Sequence, residues 1–293
     1  MRGKRRIGNY RIEQEIHRGK LGVLYRARDE QDAPRALKIL HAFLIRDRDR
    51  LERAIEDLVA RLKPVSHPYL VSPLAAGYDP DEDAVYVVYP WIDRATPLDG
   101  ILQQAGGRLS FSQVAEYLWR TLLVLRVLSQ AIGAHGSLKL TNLVRDARGW
   151  FYVTDPGLAR VVYQTQPGAS PWDAIGTSDY LAPELMEKSE ADFATDLYAL
   201  AAIAYHLLEG HPLFAHEDPA RQREAHRTQP PPPLRRSDVP PAFQEWLQRS
   251  LSKNPRARFQ DPDAAMEALA KILLERGWAL DFWRAEAQAL PEL

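Results

Sequence analysis

The chain has 293 residues, of which 45% are hydrophobic and 26% are charged, with 38 basic against 39 acidic side chains. This length predicts two domains or one two-lobed unit, and the formal net charge of −1 excludes a global attraction to nucleic acid or to anionic membranes. Because no apolar run approaches the ~20 residues of a membrane span and cysteine is absent, we expect a cytoplasmic protein without signal peptide, membrane span, disulfides or nucleic-acid partner.

The first third of the chain is predicted to form mainly β-strands. Short runs rich in β-branched and aromatic residues are separated by turn residues, which is typical of strands. These strands are expected over 10–16, 23–28, 36–40, 70–77 and 84–89. One helix is predicted over 46–62, because Leu51, Ile55 and Leu58 recur at helical spacing and form an apolar stripe.

The remainder of the chain is predicted to be mainly helical. Helices are expected over 111–132, 183–186, 195–210, 241–251 and 261–275, with a hairpin over 143–153. Ser112 and Asp261 are the predicted N-caps, and Gly210 is a predicted helix stop. The pattern therefore indicates an α+β protein with a strand-rich part followed by a helical part.

Two short patterns in the strand-rich part are compatible with phosphate binding. Gly19 and Gly22 lie between two predicted strands, where glycine lets a backbone approach phosphate oxygens closely. Lys38 lies on the next predicted strand. Each pattern alone is more typical of an ordinary turn or of a solvated lysine.

Further motifs follow in an order that resembles the eukaryotic-type protein kinases, in the style of bacterial Ser/Thr kinases. The motifs resemble the catalytic loop at 135–142, the D-F-G segment at 154–160, the end of the activation segment at 176–184, the buried C-lobe helix at 195–200 and the late loop at 254–258. The resemblance covers about 10–277. It implies a bilobal protein-kinase fold in which Lys38 approaches Asp155 across a cleft and Glu184 pairs with Arg258.

The resemblance also implies a domain organisation. Residues 10–92 would form a β-rich N-lobe with one main helix, and 93–277 would form a mainly helical C-lobe. Residues 1–9 would be a basic N-terminal extension. Residues 278–293 would be a tail that packs on the C-lobe or docks another protein.

The same resemblance implies ATP as a ligand and magnesium as its companion ion. Lys38 would reach the α- and β-phosphates, while Asn142 and Asp155 would supply oxygens to magnesium. Adenine would accept a hydrogen bond from the backbone N–H of Ile92 and donate one to the carbonyl of Pro90. The residues implied to contact ATP are Gly19, Gly22, Leu24, Ala36, Lys38, Tyr89 as gatekeeper, Pro90 and Ile92.

Several departures from the family pattern affect catalysis. Ser137 stands at the position of the acceptor-orienting aspartate, although Lys139 of the same loop is retained. A positioned acid–base group contributes roughly 10²–10⁴-fold to a rate. Gly136 replaces the arginine that docks a phosphorylated loop. Ile55 stands where the glutamate partner of Lys38 is expected, unless a small shift in the alignment brings Glu56 there.

These departures favour a pseudokinase, which binds a nucleotide and acts as a signalling or scaffold protein without catalysis. Its protein partner or substrate would bind at the activation segment, about 159–180, or on the C-lobe. The alternative is an active Ser/Thr protein kinase with a non-standard catalytic loop. A minor alternative is a small-molecule phosphotransferase, because enzymes of the aminoglycoside type carry His-Gly at this loop, as His135 and Gly136 do here.

Overall fold

A computed structural model describes residues 5–165, 178–187, 190–275 and 277 of the chain. The central part of the predicted activation segment, 166–177, lies outside the described residues, and so does the predicted tail, 278–293. Within the described ranges, no helix is long and apolar enough to cross a membrane.

An antiparallel sheet of six strands dominates the N-terminal part. The strands are β1 (Arg6–Ile7), β2 (Tyr10–Arg18), β3 (Gly22–Arg28), β4 (Pro34–Leu40), β5 (Ala75–Asp79) and β6 (Ala84–Pro90). Their spatial order is β1-β2-β3-β4-β6-β5. The pairing of β2 with β3 is irregular, with register shifts between Ile12 and Gln14 and between Glu15 and His17.

Two strand predictions need correction. Ile7 on β1 is fully buried, so the sheet begins inside the stretch 1–9 that was expected to be an extension. The strand predicted over 70–77 begins only at Ala75. Pro73 has no backbone N–H to contribute to a ladder, and before it Leu70 makes only an isolated bridge to Val153.

Helix α1 (Arg48–Leu62) packs against β5 and connects the sheet to the rest of the molecule. It begins later than the predicted 46–62 because the side chain of Asp47 accepts a hydrogen bond from the backbone N–H of Arg50 at 3.0 Å and caps the helix. The predicted apolar stripe is confirmed, since Leu51, Ile55 and Leu58 are buried.

Seven α-helices lie in the described residues of the C-terminal part. They are α2 (Leu98–Gln104), α3 (Phe111–Ala131), α4 (Leu158–Gln164), α5 (Phe193–Glu209), α6 (Pro219–Thr228), α7 (Pro241–Ser250) and α8 (Pro262–Glu275). Nearly every residue of α5 is buried, so this helix forms the centre of the C-terminal part. The helices α2, α4 and α6 were not predicted.

The helix boundaries follow local capping. Ser110, and not the predicted Ser112, caps α3: its hydroxyl accepts the N–H of Gln113 at 3.3 Å, and the Gln113 side chain accepts the N–H of Ser110 at 3.1 Å. The predicted cap of α8 is confirmed, because Asp261 accepts the N–H of Ala264 at 2.8 Å. Helix α5 stops before Gly210, as predicted.

A small second sheet joins the two parts of the molecule. It consists of β7 (Thr96–Pro97), β8 (Leu143–Arg145) and β9 (Phe151–Val153). The last two strands form the predicted hairpin. Together with the large sheet and the helices, it confirms the expected two-lobed α+β architecture, with an N-lobe built on the large sheet and a helical C-lobe.

Candidate functional site

A cleft of about 520 Å³ lies between the N-lobe and the C-lobe. It brings together all twelve of the residues that the sequence assigned to a site. These residues are Gly19, Gly22, Leu24, Ala36, Lys38, Tyr89, Pro90, Ile92, Ser137, Lys139, Asn142 and Asp155.

The roof of the cleft is the hairpin between β2 and β3. The N–H of Gly19 donates to the carbonyl of Gly22 at 2.9 Å, and the N–H of His41 donates to the carbonyl of Leu21 at 3.0 Å. The ring Nε2 of His41 lies 2.8 Å from the carbonyl oxygen of Gly19 and donates to it. At Gly22, a Cβ would collide with the carbonyl oxygen of Ile39, so close strand packing alone requires this glycine.

Lys38 and Asp155 meet across the cleft. Lys38 lies on β4 of the N-lobe, and its ammonium group contacts the carboxylate of Asp155, which follows β9 of the C-lobe. Only 14% and 13% of the two side chains are exposed. Burial raises the pKa of the Asp155 carboxyl, but the charges of Lys38 and Lys139 outweigh that effect and hold this pKa below its usual value.

Two more side chains surround the Asp155 carboxylate. The hydroxyl of Tyr89 is within hydrogen-bonding reach, and burial together with the negative charge of Asp155 raises the pKa of Tyr89 well above its ordinary value. Tyr89 therefore stays protonated. Lys139 is half-buried beside the same carboxylate. Burial lowers its pKa, the charges of Lys38 and Lys20 lower it further, and Asp155 opposes them.

The segment that carries Ser137 is held by its own backbone contacts. The N–H groups of His135 and Gly136 donate to the carboxylate of Asp196 at 2.6 and 2.8 Å. The side-chain Nδ2 of Asn142 donates to the carbonyl of Ser137 at 3.1 Å. Ser137 is buried at the floor of the cleft and presents only a neutral hydroxyl there.

His135 serves this segment as a structural residue. Its Nε2 lies 2.9 Å from the carbonyl oxygen of Thr154, and the side chain is fully buried. Burial lowers the pKa of His135 to about 4, so the imidazole is neutral at pH 7 and donates its Nε2–H. His135 and Asp196 therefore both act as structural residues of this segment.

Arg160 on α4 is a site residue that the sequence reasoning missed. Its guanidinium donates to the carbonyl of Ile132 at 2.7 Å, and its stem lies over Gly136, where an added Cβ would be 3.4 Å from the Cβ of Arg160. The space beside the catalytic-loop segment is therefore covered by an arginine from α4. The small residue at position 136 was the one signal that could have indicated this neighbour.

Helix α4 packs directly against α1. It begins at Gly157, whose left-handed backbone (φ +73°) suits glycine and whose Cβ would lie only 2.8 Å from Leu58 Cδ1. The guanidinium of Arg50 on α1 donates to the carbonyl of Gln164 at 3.1 Å and caps the end of α4. Glu56 is exposed and makes no ion pair with Lys38, whereas the neighbouring Ile55 is buried.

The cleft also contains charged residues that were not predicted. Lys20 lies at its roof, Arg94 follows β6, and Asp99 lies in the first turn of α2. Counting these, the lining carries four cationic side chains, Lys20, Lys38, Arg94 and Lys139, against the two carboxylates of Asp99 and Asp155. Nothing in the spacing of these residues indicated that they would meet.

Of the two oxygen ligands predicted for magnesium, Asp155 is already engaged by another group, while Asn142 is held by its side-chain nitrogen. Asp155 contacts the ammonium of Lys38 and lies within reach of the Tyr89 hydroxyl. Within the part of the chain that the structure describes, no group of three or more His, Asp or Glu side chains could hold a metal ion. Asn142 and Asp155 as arranged here do not fit magnesium, because an ammonium group takes the place of the cation.

A buried ion pair braces the C-lobe below the cleft. Arg258 and Glu184 form two parallel hydrogen bonds of 2.7 and 2.8 Å. Arg258 also donates to the carbonyls of Ser252 and Ala194, each at 2.8 Å, and is 1% exposed. The predicted pairing of Glu184 with Arg258 is confirmed.

Comparisons with known proteins agree with this arrangement. The family model described as protein kinase domain matches residues 10–273. Serine/threonine-protein kinase PknA of Mycobacterium tuberculosis is 28% identical over 269 residues, which cover 90% of this chain and 61% of that protein. Serine/threonine-protein kinase pkn3 of Myxococcus xanthus is 30% identical over 289 residues, which cover 94% of this chain and 52% of that protein.

The chain therefore spans only about half to three fifths of the length of these two relatives. Among solved structures, the PknI kinase domain of Mycobacterium tuberculosis superposes with a TM-score of 0.72 at 19% identity. The superposition covers 92% of this chain and 99% of that domain, and it shows a shared fold.

Proposed function

The chain belongs to the protein kinase domain family, and from this membership we propose that it is a pseudokinase, a member that binds a nucleotide but transfers no phosphate. Its role would be to signal through its conformation or to act as a scaffold. The single observation that carries the proposal is the intact interlobe cleft with Ser137 at the position of the catalytic aspartate.

The cleft supports nucleotide binding. Its backbone at Pro90 and Ile92 lies at the end of β6, where an adenine ring can pair with a carbonyl and an N–H group. Leu24 and Ala36 provide an apolar roof from the adjacent strands β3 and β4. Lys38 lies deeper, at a position to meet phosphate oxygens.

Two features oppose phosphate transfer. Ser137 carries no charge at pH 7, so no side chain at that position orients or deprotonates an acceptor hydroxyl. In addition, α1 offers a buried Ile55 and an exposed Glu56, and α4 is packed against α1. Lys38 therefore has no carboxylate partner on α1 and pairs with Asp155 instead.

The proposal also includes a protein partner and a location in the cell. The relatives are named serine/threonine-protein kinases, which supports a protein partner or substrate at the activation segment or on the C-lobe. A cytoplasmic location, favoured by the absence of cysteine, stays a prediction.

Nucleotide binding is tested by thermal unfolding of the purified chain with and without ATP. A ligand that binds only the folded state raises its stability by RT ln(1 + [L]/Kd), about 2.7 kcal/mol at one hundred times Kd. Ala36→Phe fills the adenine end of the cleft and should abolish the shift. The matched control is Ala60→Phe on the exposed side of α1, which should keep the shift. No shift in the unmodified chain would overturn the proposal.

Phosphate transfer is tested with a generic Ser/Thr substrate and radiolabelled ATP. The unmodified chain should remain at background. Ser137→Asp alone should also remain at background, because Lys38 still lacks a carboxylate from α1. Robust transfer by the unmodified chain that is lost in Asp155→Ala would establish the alternative, an active kinase with a non-standard catalytic loop.

A further inference from the structure

We propose that the cleft binds its nucleotide as the free polyphosphate anion, without a divalent cation, and that the ammonium groups of Lys20, Lys38 and Lys139 take over the neutralising role of the metal. The inference rests on the proposed nucleotide binding and specifies the ionic form of the ligand. It starts from the misfit between magnesium and the side chains around Asp155.

The lining of the cleft carries an excess of positive charge. Its four cationic side chains exceed its two carboxylates; Arg94 follows β6, and Asp99 lies in the first turn of α2. Apart from Arg94 and Asp99, the charged side chains of the lining are Lys20, Lys38, Lys139 and Asp155. This end of the cleft is therefore net positive without any metal ion, and it faces the place where a polyphosphate would extend from the adenine end.

The carboxylate of Asp155 is already paired with an ammonium group. Magnesium in proteins is usually held by one or two carboxylates together with substrate phosphates. Here the one carboxylate at this end contacts Lys38, lies within reach of the Tyr89 hydroxyl and is 13% exposed. A magnesium ion at this carboxylate would compete with the buried ammonium group of Lys38 for the same negative charge, and that competition opposes metal binding.

The three lysines repel one another. Lys20, Lys38 and Lys139 line the same cleft, so their ammonium groups lie within electrostatic reach. Such a cluster is unfavourable by itself. A polyphosphate relieves this repulsion, because each ammonium group has three N–H donors and binds phosphate as a point charge.

The experiment is calorimetric titration of the full chain with ATP, once in EDTA and once in MgCl2. We expect ATP to bind at least as tightly in EDTA as in MgCl2. Binding that is more than about tenfold weaker in EDTA, a loss of about 1.4 kcal/mol, would overturn the inference while the proposed function stands. No binding in either buffer would refute the proposed function and the inference together.

Two variants sharpen the result. Lys139→Met should weaken ATP binding in EDTA by about tenfold, whereas the control Lys271→Met, on the exposed face of α8, should not change it. Asp155→Asn should tighten ATP binding in EDTA several-fold, because it removes a negative charge and releases Lys38. In a metal-dependent site the same variant would weaken binding, and that outcome would contradict the inference. The melting temperature of each variant without ligand verifies that it is folded.

Discussion

Lys38 pairs with a different carboxylate from the one that the family pattern predicts. In the family pattern this lysine is expected to pair with a glutamate of the main N-lobe helix, but Ile55 occupies that position on α1 and is fully buried. A buried ammonium group without a counter-charge is unfavourable, so the nearest carboxylate, Asp155, becomes the partner of Lys38. The contact of Lys38 with Asp155 therefore engages the carboxylate that would otherwise be available to magnesium.

The buried pair of Arg258 and Glu184 should stabilise the C-lobe. Arg258→Ala leaves the carboxylate of Glu184 buried without its counter-charge and should lower the free energy of unfolding by about 3–5 kcal/mol. Removing both side chains should cost less than the sum of the single losses, because no charge then remains unpaired. Urea unfolding of the two single variants and the double variant measures these values.

The matched control for this pair is Arg256→Ala, two residues away and exposed. It should change the free energy of unfolding by less than about 0.5 kcal/mol. Strict additivity between the Arg258 and Glu184 variants would show that the two side chains stabilise the C-lobe independently of each other.

Elements with a long apolar stripe could be predicted from the sequence. Helices α1, α3, α5, α7 and α8 were all expected because each buries a stripe at helical spacing over at least ten residues. By contrast, α2 and α4 have seven residues each, which is too short for a periodic signal. Helix α6 is polar overall, and its start depends on the cap at Asp218 and on Pro219 in the first turn.

The residues of the site also include some that the sequence predicts and others that it does not. Residues such as Lys38, Asn142 and Asp155 could be predicted because they lie in ordered motifs whose positions follow from the family resemblance. Lys20 and Arg160 could not, because their importance depends on which segments pack together in space. The contact of α4 with α1 is of this second kind, since short segments owe their conformation to tertiary packing.

The attachment of α4 to α1 can be tested with Arg50→Ala. This variant removes the hydrogen bond to the carbonyl of Gln164 and should destabilise α4 locally by about 0.5–1.5 kcal/mol. Hydrogen exchange read by mass spectrometry should therefore be faster over Leu158–Gln164 and unchanged in α5. The exposed Arg53 on the same helix supplies the control, Arg53→Ala. Unaltered exchange in α4 of the Arg50 variant would show that apolar packing alone holds this helix.

The stability of the whole molecule should depend on pH through its buried histidines. Burial lowers the pKa of His67 and His135 to about 4 and that of His226 to about 3, and it lowers the pKa of His206 as well. The unfolded chain takes up protons at these positions below about pH 6.5, whereas the folded chain does not. Their contribution to stability is therefore complete above pH 6.5 and is lost as the pH falls toward 4.

Asp196 acts in the opposite direction. Burial raises its pKa to about 7, so in the same pH range the folded chain holds a proton that the unfolded chain releases. The contribution of Asp196 to stability is present at low pH and is lost as the pH rises toward 7. This effect cancels the opposite effect of one histidine. Near pH 5 the unfolded chain therefore binds at least two more protons than the folded chain at these positions. We expect the free energy of unfolding to fall by about 2.7 kcal/mol for each pH unit by which the pH is lowered.

Urea unfolding between pH 4.5 and 7 measures this slope. His67→Asn keeps an acceptor for the N–H of Tyr69, which donates to His67 Nδ1 at 3.2 Å, and it removes one titrating group. It should reduce the slope by about 1.4 kcal/mol per pH unit. His216→Asn, at an exposed position, should leave the slope unchanged. A slope that is the same in both variants would exclude His67 as a source of acid sensitivity.

The irregular pairing of β2 has a consequence for how copies of this protein behave toward one another in concentrated solution. Among the described residues, strand β1 pairs with Tyr10 and Arg11 and Arg5 accepts the N–H of Ile12, so no described segment covers the outer side of β2 from Glu13 to Arg18. A regular open strand is a template for pairing with a second chain and for aggregation. The two register shifts disrupt that template, and exposed charged residues such as Glu13, Glu15 and Arg18 repel a neighbour's strand. The strand that roofs the ligand cleft thereby also protects the colloidal stability of the protein.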